Sequence, residues 1–468
     1  MKTSKSLNSR IVLAGLIAAG FAGLVAMAQH VQPQVDKLPT PVPGTPNFGS
    51  VAPKPAGAEL KVPAGFTVSV YAENLTTPRY MVYAPNDDLF VSSFAGSSIT
   101  VFRDGKNLGT FAGRAPAAAP AGPPAGAPAP GGGAGRGGGQ GGGGGAARGG
   151  ARGPAPATAL PTANPASAVA CTNTTVPAGA VGINQPQGMA FHNGYLYVAN
   201  TNSIVRYKYT NGDTTAQGTP EKLVDLISGG HGWRNVIFNA AGTKMYVSVG
   251  SSSNNDAGED CRRAAILEFN PDGTGGRIFA SGIRNPEGLA WQPGVTDVLW
   301  TSVNERDGYG DNLPPDYITS VKDGGFYGWP YSYTGQNYDP RYVGGMPDLV
   351  KKALAPDVLI EAHSAAVGLT FYTATQFPQR FRNGAFVGLH GSWNSSVAHG
   401  YKVIFVPFTN GKPGPTEDFL TGFVIDSAAV SKWGRPVGVT VARDGSLLVA
   451  DDGSNKIWQV KYSGPAGR

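Results

Sequence analysis

Glu305, Asp307, Asp311 and Asp316 fall within twelve positions of one another in the glycine-broken run NERDGYGDNLPPDYI, residues 304–318. Hard oxygen donors crowded on a tight loop suit Ca2+, which takes about six to eight oxygens and tolerates irregular geometry. The same residues also describe an ordinary solvated turn, because loops carry such charges routinely. A different chemistry is available at His231, on the glycine-flanked loop SGGHGWRN, residues 228–235. An imidazole titrating near about 6.5 suits a general base, although a loop histidine on its own is more often structural or solvated. Arg284 and Asn285 open RNPEGLAW, residues 284–291, where Pro286 holds Asn285 extended and fixes both side chains at the start of a strand. Arg435 stands in the same place in KWGRPVG, residues 432–438. An arginine so placed can stabilise charge developing on an oxygen or hold a carboxylate, and it can equally tie two strands together. His390, Trp393 and Asn394 of LHGSWNSS, and Asn255 of the GSSSNN turn, complete the set of candidate lining residues.

These groups need a scaffold, and one phrase recurs along the chain. A turn led by a proline or a small residue precedes a short apolar strand, then a turn with Asn, Asp or Gly, then a second apolar strand. Examples are PRYMVYAPNDDLFVSS from Pro78, PQGMAFHNGYLYVANT from Pro186 and PVGVTVARDGSLLVADDG from Pro436. Further copies start at Arg234, Pro286 and Ala366, and most are followed by a third strand such as the one from Lys402 or Lys456. Period-2 alternation with closely spaced turns predicts antiparallel strands. Six such copies predict an all-β fold, a six-bladed β-propeller of four-stranded antiparallel blades. The strand from Phe66 is expected to pair with that from Lys456 and close the ring, which removes open edges.

The blocks RNPEGLAW, NERDGYGDNLPPDYI and GGFYGWPY, in that order, resemble the glucose/sorbosone dehydrogenase family, whose members use pyrroloquinoline quinone (PQQ). The likeness runs from about residue 60 to residue 462, apart from one insertion, and is nearest the sorbosone dehydrogenase-like branch. It implies oxidation of an aldose or sorbosone-like sugar, with His231 taking the hydroxyl proton and hydride passing to PQQ. It implies Arg284 as a catalytic group beside the quinone, and Arg284, Asn285, Arg435, His390 and Trp393 as cofactor-binding residues. It also implies Ca2+ on the main-chain carbonyls of Glu305 and Arg306, with Asp311 and Asp316 serving a structural calcium nearby. One departure stands out: glucose-oxidising relatives place a lysine near the quinone in the fifth blade, where this chain has His390 and its neighbours.

Residues 1–28 have the form of an export signal: Lys2, Lys5 and Arg10, an apolar run, then Ala26-Met27-Ala28 as a cleavage site. The expected location is periplasmic or secreted, with no membrane span after cleavage. Residues 29–58 form a Pro-rich linker, and 59–465 the propeller, interrupted by a Gly/Pro/Ala-rich insertion at 115–165 that has almost nothing to bury. The net charge of +6 is accounted for by the basic leader and four arginines of the glycine tract, so charge gives no reason to expect nucleic acid. Cys171 and Cys261 are the only cysteines, and in an oxidising compartment they are expected to pair. With no CxxCH haem motif, electrons would leave to an external acceptor. Two other readings fit a propeller: a metal-dependent lactone hydrolase and a non-catalytic binding module.

Overall fold

The computed structural model describes residues 38–114 and 179–464. The signal, the insertion at 115–165 and Cys171 lie outside them. Among the described residues there are six four-stranded antiparallel sheets. Their first strands are Pro78–Tyr83, Met189–His192, Val236–Phe238, Pro286–Trp291, Ala366–Phe371 and Pro436–Val441. Each first strand contacts the first strand of the next sheet, and Pro436–Val441 returns to Pro78–Tyr83. The last sheet takes its fourth strand from the other end of the chain: Phe66–Ala72 pairs antiparallel with Lys456–Tyr462, as the sequence predicts.

Burial follows from this arrangement. Five of the six second strands, Leu89–Ser93, Met245–Val249, Leu299–Val303, Ala385–Leu389 and Leu447–Asp451, are buried along their whole length, and Tyr195–Ala199 is buried from Leu196 onward. Alternate side chains serve opposite cores: Leu89 and Val91 join Leu448 and Ala450 of the preceding sheet, while Phe90 joins Leu196 and Val198 of the following one. Equivalent apolar clusters fill the other sheet-to-sheet interfaces. Each fully buried Leu or Phe contributes about 1.5–3 kcal/mol relative to exposure.

A glycine in the first strand sets how closely neighbouring sheets approach. A Cβ on Gly368 would lie 2.1 Å from the Val437 carbonyl oxygen, and one on Gly438 would lie 2.3 Å from that of Arg79. The recurring x-Gly after Pro186, Pro286 and Pro436 is therefore the point where one sheet passes its neighbour's backbone.

Residues 42–52 do not behave as a free linker. Val42 N donates to Tyr309 O (3.3 Å), Asn47 N to Trp393 O (2.7 Å) and Ala52 N to Lys432 O (2.8 Å), and Ser50–Val51 pairs with Ser431–Lys432. No helix among the described residues is long and apolar enough to cross a membrane. Cys261 is disulfide-bonded.

Candidate active site

In each sheet the first strand starts, and the second strand ends, at the same end of the barrel-like ring, because the two are antiparallel. That end therefore gathers the segments entering first strands (His231, Arg284, His363, Arg435, Arg79) and the loops joining second to third strands (305–311, 390–401, Asp452). Residues almost the whole length of the chain apart thus meet on one face.

His231 is anchored twice. Its backbone N donates to Ser251 O (2.9 Å), and its Nδ1 lies 3.0 Å from both Ser251 O and Ser251 Oγ. The Ser251 hydroxyl already donates to Ser253 O at 2.6 Å, so Nδ1 faces two acceptors and must carry the proton. Nε2 is left as a lone pair. Burial, then the charge of Arg284, lowers the pKa of His231 to about 3, which keeps the ring neutral. Gly250 permits the approach: a Cβ there would lie 2.8 Å from His231 Cβ and 2.2 Å from Asn285 Oδ1.

Arg284 holds the acidic loop to the strand. Its Nε donates to Asn254 O (3.0 Å), Nη2 to Asn254 Oδ1 (2.9 Å) and Asp307 Oδ2 (3.3 Å), and Nη1 to Glu305 O. Asp307 also pairs with His363 Nδ1 at 3.4 Å, while His363 Nε2 donates to Gly310 O at 2.8 Å. Burial is the largest single influence on His363 and lowers its pKa, but the hydrogen bond and charge of Asp307, the bond to Gly310 O and the charge of Asp316 together outweigh it, and the net shift is upward. In Asp307 burial works upward and loses to His363 and Arg284, so that carboxyl is held low.

The structure does not bring Asp311 and Asp316 together. Asp311 accepts the backbone N and hydroxyl of Ser396, whereas Asp316 accepts the backbone N of Glu305 (2.8 Å) and of Ala365 (2.7 Å). Burial raises Asp316 to about 7. The Glu305 carboxylate accepts from Arg306 (3.0 Å), and Arg306 also binds Asp339 and the carbonyls of Pro330 and Ser332. These carboxylates are engaged by N–H and O–H donors. Among the described residues no three His, Cys, Asp or Glu side chains converge as a metal site. Calcium on this loop would have to rest on main-chain carbonyls.

A second cluster was not legible as a motif. His390 Nε2 donates to Asp452 Oδ1 (2.9 Å), Arg435 Nη2 donates to His390 Nδ1 (2.9 Å), and Asp452 also pairs with Arg79 (3.0 Å). The Arg79 guanidinium lies 4.3 Å over the Trp233 ring, which meets His390 edge-on at 6.0 Å. Arg79 is 5% exposed, yet its Nε and Nη1 have no hydrogen-bond partner among the described residues; neither has Arg435 Nε. Nearby, Asn285 and Asn304 both donate to Glu287 Oε1 at 2.6 Å, leaving Asn285 Oδ1 and Glu287 Oε2 unpaired. Burial pushes the Glu287 carboxyl far above the usual carboxylate range. Buried guanidinium N–H groups without acceptors are costly unless an anion completes them, and a tricarboxylate such as PQQ has the complementary groups. Of the expected cofactor residues, Trp393 stands apart from this cluster: it sits on the rim, stacked on Phe48.

Residues 195–392 match the glucose/sorbosone dehydrogenase family model, and 349–463 match a TrAA12-like model. An uncharacterized protein of Borreliella burgdorferi is 32% identical over 238 residues, covering 50% of this chain and 61% of its own. The aldose sugar dehydrogenase of Escherichia coli is 26% identical over 183 residues, 36% of this chain and 47% of its own. The PQQ-dependent pyranose dehydrogenase of Coprinopsis cinerea is 31% identical over 172 residues, 32% of this chain and 22% of its own. The chain thus spans less than two thirds of each of these relatives' own length, from 61% down to 22%. The holo PQQ domain of a C. cinerea pyranose dehydrogenase superposes with a TM-score of 0.61 at 18% identity, covering 87% of this chain and 98% of that one. That likeness is one of fold, a β-propeller.

Proposed function

Starting from a chain that residues 195–392 place in the glucose/sorbosone dehydrogenase family, we propose that it is a PQQ-dependent sugar dehydrogenase on a six-bladed propeller. One observation carries the reading: two arginines with unpartnered buried N–H groups, Arg79 and Arg435, share a face with a histidine held neutral with a free Nε2. Arg79 and Arg435 would hold carboxylates of PQQ. PQQ, when bound, supplies the two-electron acceptor for the hydride leaving sugar C1. His231 Nε2 takes the hydroxyl proton, and Ser251, by fixing the proton on Nδ1, keeps that lone pair available. Arg284 holds the 304–311 loop and contributes positive field beside His231. Calcium would belong to this reading only through the carbonyls of Glu305 and Arg306, the first of which already accepts from Arg284 Nη1, and no step depends on it.

The basic start and apolar run of residues 1–28 support export to the periplasm or beyond, and electrons pass to an external acceptor. The sugar is an aldose or a sorbosone-like hydroxy-aldehyde. Absorbance of the purified protein titrated with PQQ, with and without Ca2+, tests the function. A bound quinone spectrum bleached by sugar is expected. Lactone hydrolysis without PQQ, or no PQQ binding, would overturn it.

A further inference from the structure

Arg263 is 4% exposed, and its guanidinium is bonded to main-chain carbonyls alone. Nη1 donates to Gly250 O (2.9 Å) and reaches Ser251 O (3.4 Å), while Nη2 donates to Ser228 O and to Gly229 O, both at 2.6 Å. A buried cation without a carboxylate beside it lacks the partner that usually offsets its desolvation, so its position calls for a reason.

The four carbonyls belong to two segments that meet at His231. Residues 228–231 lead towards the strand Val236–Phe238, and residues 250–251 leave the strand Met245–Val249. The two backbones pass so closely that a Cβ on Gly230, where φ is +59°, would lie 2.2 Å from Ser252 Cα. Carbonyl oxygens are acceptors only, and four of them gathered in a buried place need a donor among them. The planar fork of one guanidinium reaches both segments at once, which the single ammonium of a lysine cannot do as well.

The turn that carries His231 is closed from within by a second arginine. Arg234, fully buried, donates from Nη1 to His231 O (2.7 Å) and Trp233 O (2.6 Å), and from Nη2 to Ile227 O (2.8 Å). Arg234 thus fixes the shape of the turn, and Arg263 fixes where the turn lies against Ser251. That placement matters because Ser251 O accepts both the backbone N of His231 (2.9 Å) and its Nδ1 (3.0 Å). If the Ser251 carbonyl drew away, Nδ1 would lose its acceptor and the ring proton could move to Nε2, where the lone pair is needed.

We propose that Arg263 is a positioning residue for His231, clamping the two segments so that the Ser251 carbonyl keeps the imidazole proton on Nδ1. The proposal rests on the sugar dehydrogenase reading and adds to it a residue that acts only through Ser251 and His231.

The test uses the full-length protein and its Arg263→Met and Arg263→Lys variants. In Arg263→Met, single-turnover reduction of saturating PQQ by sugar is expected to slow about ten- to one hundredfold, the range for a misplaced reacting group. KM for the sugar and affinity for PQQ should stay within about twofold, because the guanidinium groups that would hold the cofactor are elsewhere. Arg263→Lys should recover part of the rate, and it decides the matter if the methionine variant does not fold. Nitrogen-15 NMR of the imidazole in PQQ-free protein gives a readout independent of turnover: one tautomer, protonated at Nδ1, in the parent, and a mixture in Arg263→Met. A lower Tm with the rate and the tautomer unchanged would make Arg263 merely structural and overturn the proposal, as would a folded Arg263→Lys protein with the parent rate. A tautomer that shifts in a protein that oxidises no sugar would keep Arg263 as the group that positions His231 and sink the dehydrogenase reading.

Discussion

Arg435 donates from Nη2 to Nδ1 of His390 at 2.9 Å, and this bond fixes the state of the histidine. An arginine is a donor only, so Nδ1 must be the acceptor and Nε2 carries the proton given to Asp452. Burial, then the charge of Arg435, lowers His390 to about 4. His390 is therefore a neutral link between two charged groups. It does not replace the lysine that glucose-oxidising relatives place in this blade; the positive charge comes instead from Arg79 and Arg435.

Removing Arg79 tests that assignment. Arg79→Ala is expected to weaken PQQ binding by about ten- to one hundredfold, the range for a charge-assisted pair. Arg79→Lys should recover part of the loss, because it keeps a charge beside Asp452 without the planar fork. The measurement is equilibrium titration of the apo protein with PQQ. Unchanged affinity in Arg79→Ala would remove Arg79 from the cofactor site.

The pH behaviour of His231 should change with the cofactor. Without PQQ its pKa lies at about 3, depressed by burial and then by Arg284. A bound tricarboxylate opposes the arginine charge, so the complex holds the imidazolium better and its midpoint rises by about one unit or more. Between those two values His231 holds more proton in the complex than in the free protein, so its own contribution favours PQQ binding as pH falls, while protonation of the PQQ carboxylates in the same range works against it. NMR titration of the imidazole with and without PQQ measures it, and a midpoint that stays put or falls would refute it.

The scaffold was largely legible because its signals are local. Each proline-led phrase carries its own strand alternation and turn, and pairing of the Phe66 and Lys456 strands follows once edges are disfavoured. The site was legible only where a motif marks it. Arg284 and Asn285 sit in a distinctive block, but Arg79, Trp233, His363 and Asp452 are single residues in unremarkable phrases. They meet because the ring closes: Arg79 and Asp452 come from its first and last sheets. The proline-rich stretch before residue 54 reads as a linker since it lacks periodicity, yet its backbone N–H groups find carbonyls on two rim loops. The acidic loop misled in the other direction. Its carboxylates share a short sequence, but Asp311 and Asp316 face different neighbours.

Gly368→Ala tests the ring geometry. Its Cβ would fall 2.1 Å from the Val437 carbonyl oxygen, a backbone atom that cannot rotate away. Separating the two sheets costs about 1–3 kcal/mol, which for a domain of this size is a loss of several degrees in Tm. Gly212, where an added Cβ would meet nothing within 4 Å but φ is +95°, is the control for conformational strain without a clash. Thermal melts of Gly368→Ala and Gly212→Ala decide it; a Gly368→Ala protein as stable as the parent would mean that the sheets are not packed this closely.

His231→Ala addresses the chemistry itself. If His231 Nε2 takes the hydroxyl proton, its loss should lower the rate of sugar-driven PQQ reduction by about two to four orders of magnitude. PQQ affinity should hold, because the guanidinium groups of Arg79 and Arg435 remain in place. Ser251→Ala is expected to do less: it removes the hydroxyl near Nδ1 but leaves the Ser251 carbonyl 3.0 Å from the same nitrogen, so the tautomer survives. Single-turnover reduction at saturating PQQ separates these effects from binding. The order of rates should be parent, then Ser251→Ala, then His231→Ala far below. A His231→Ala protein that reduces its cofactor at the parent rate would leave the fold and the anion site standing and remove the base.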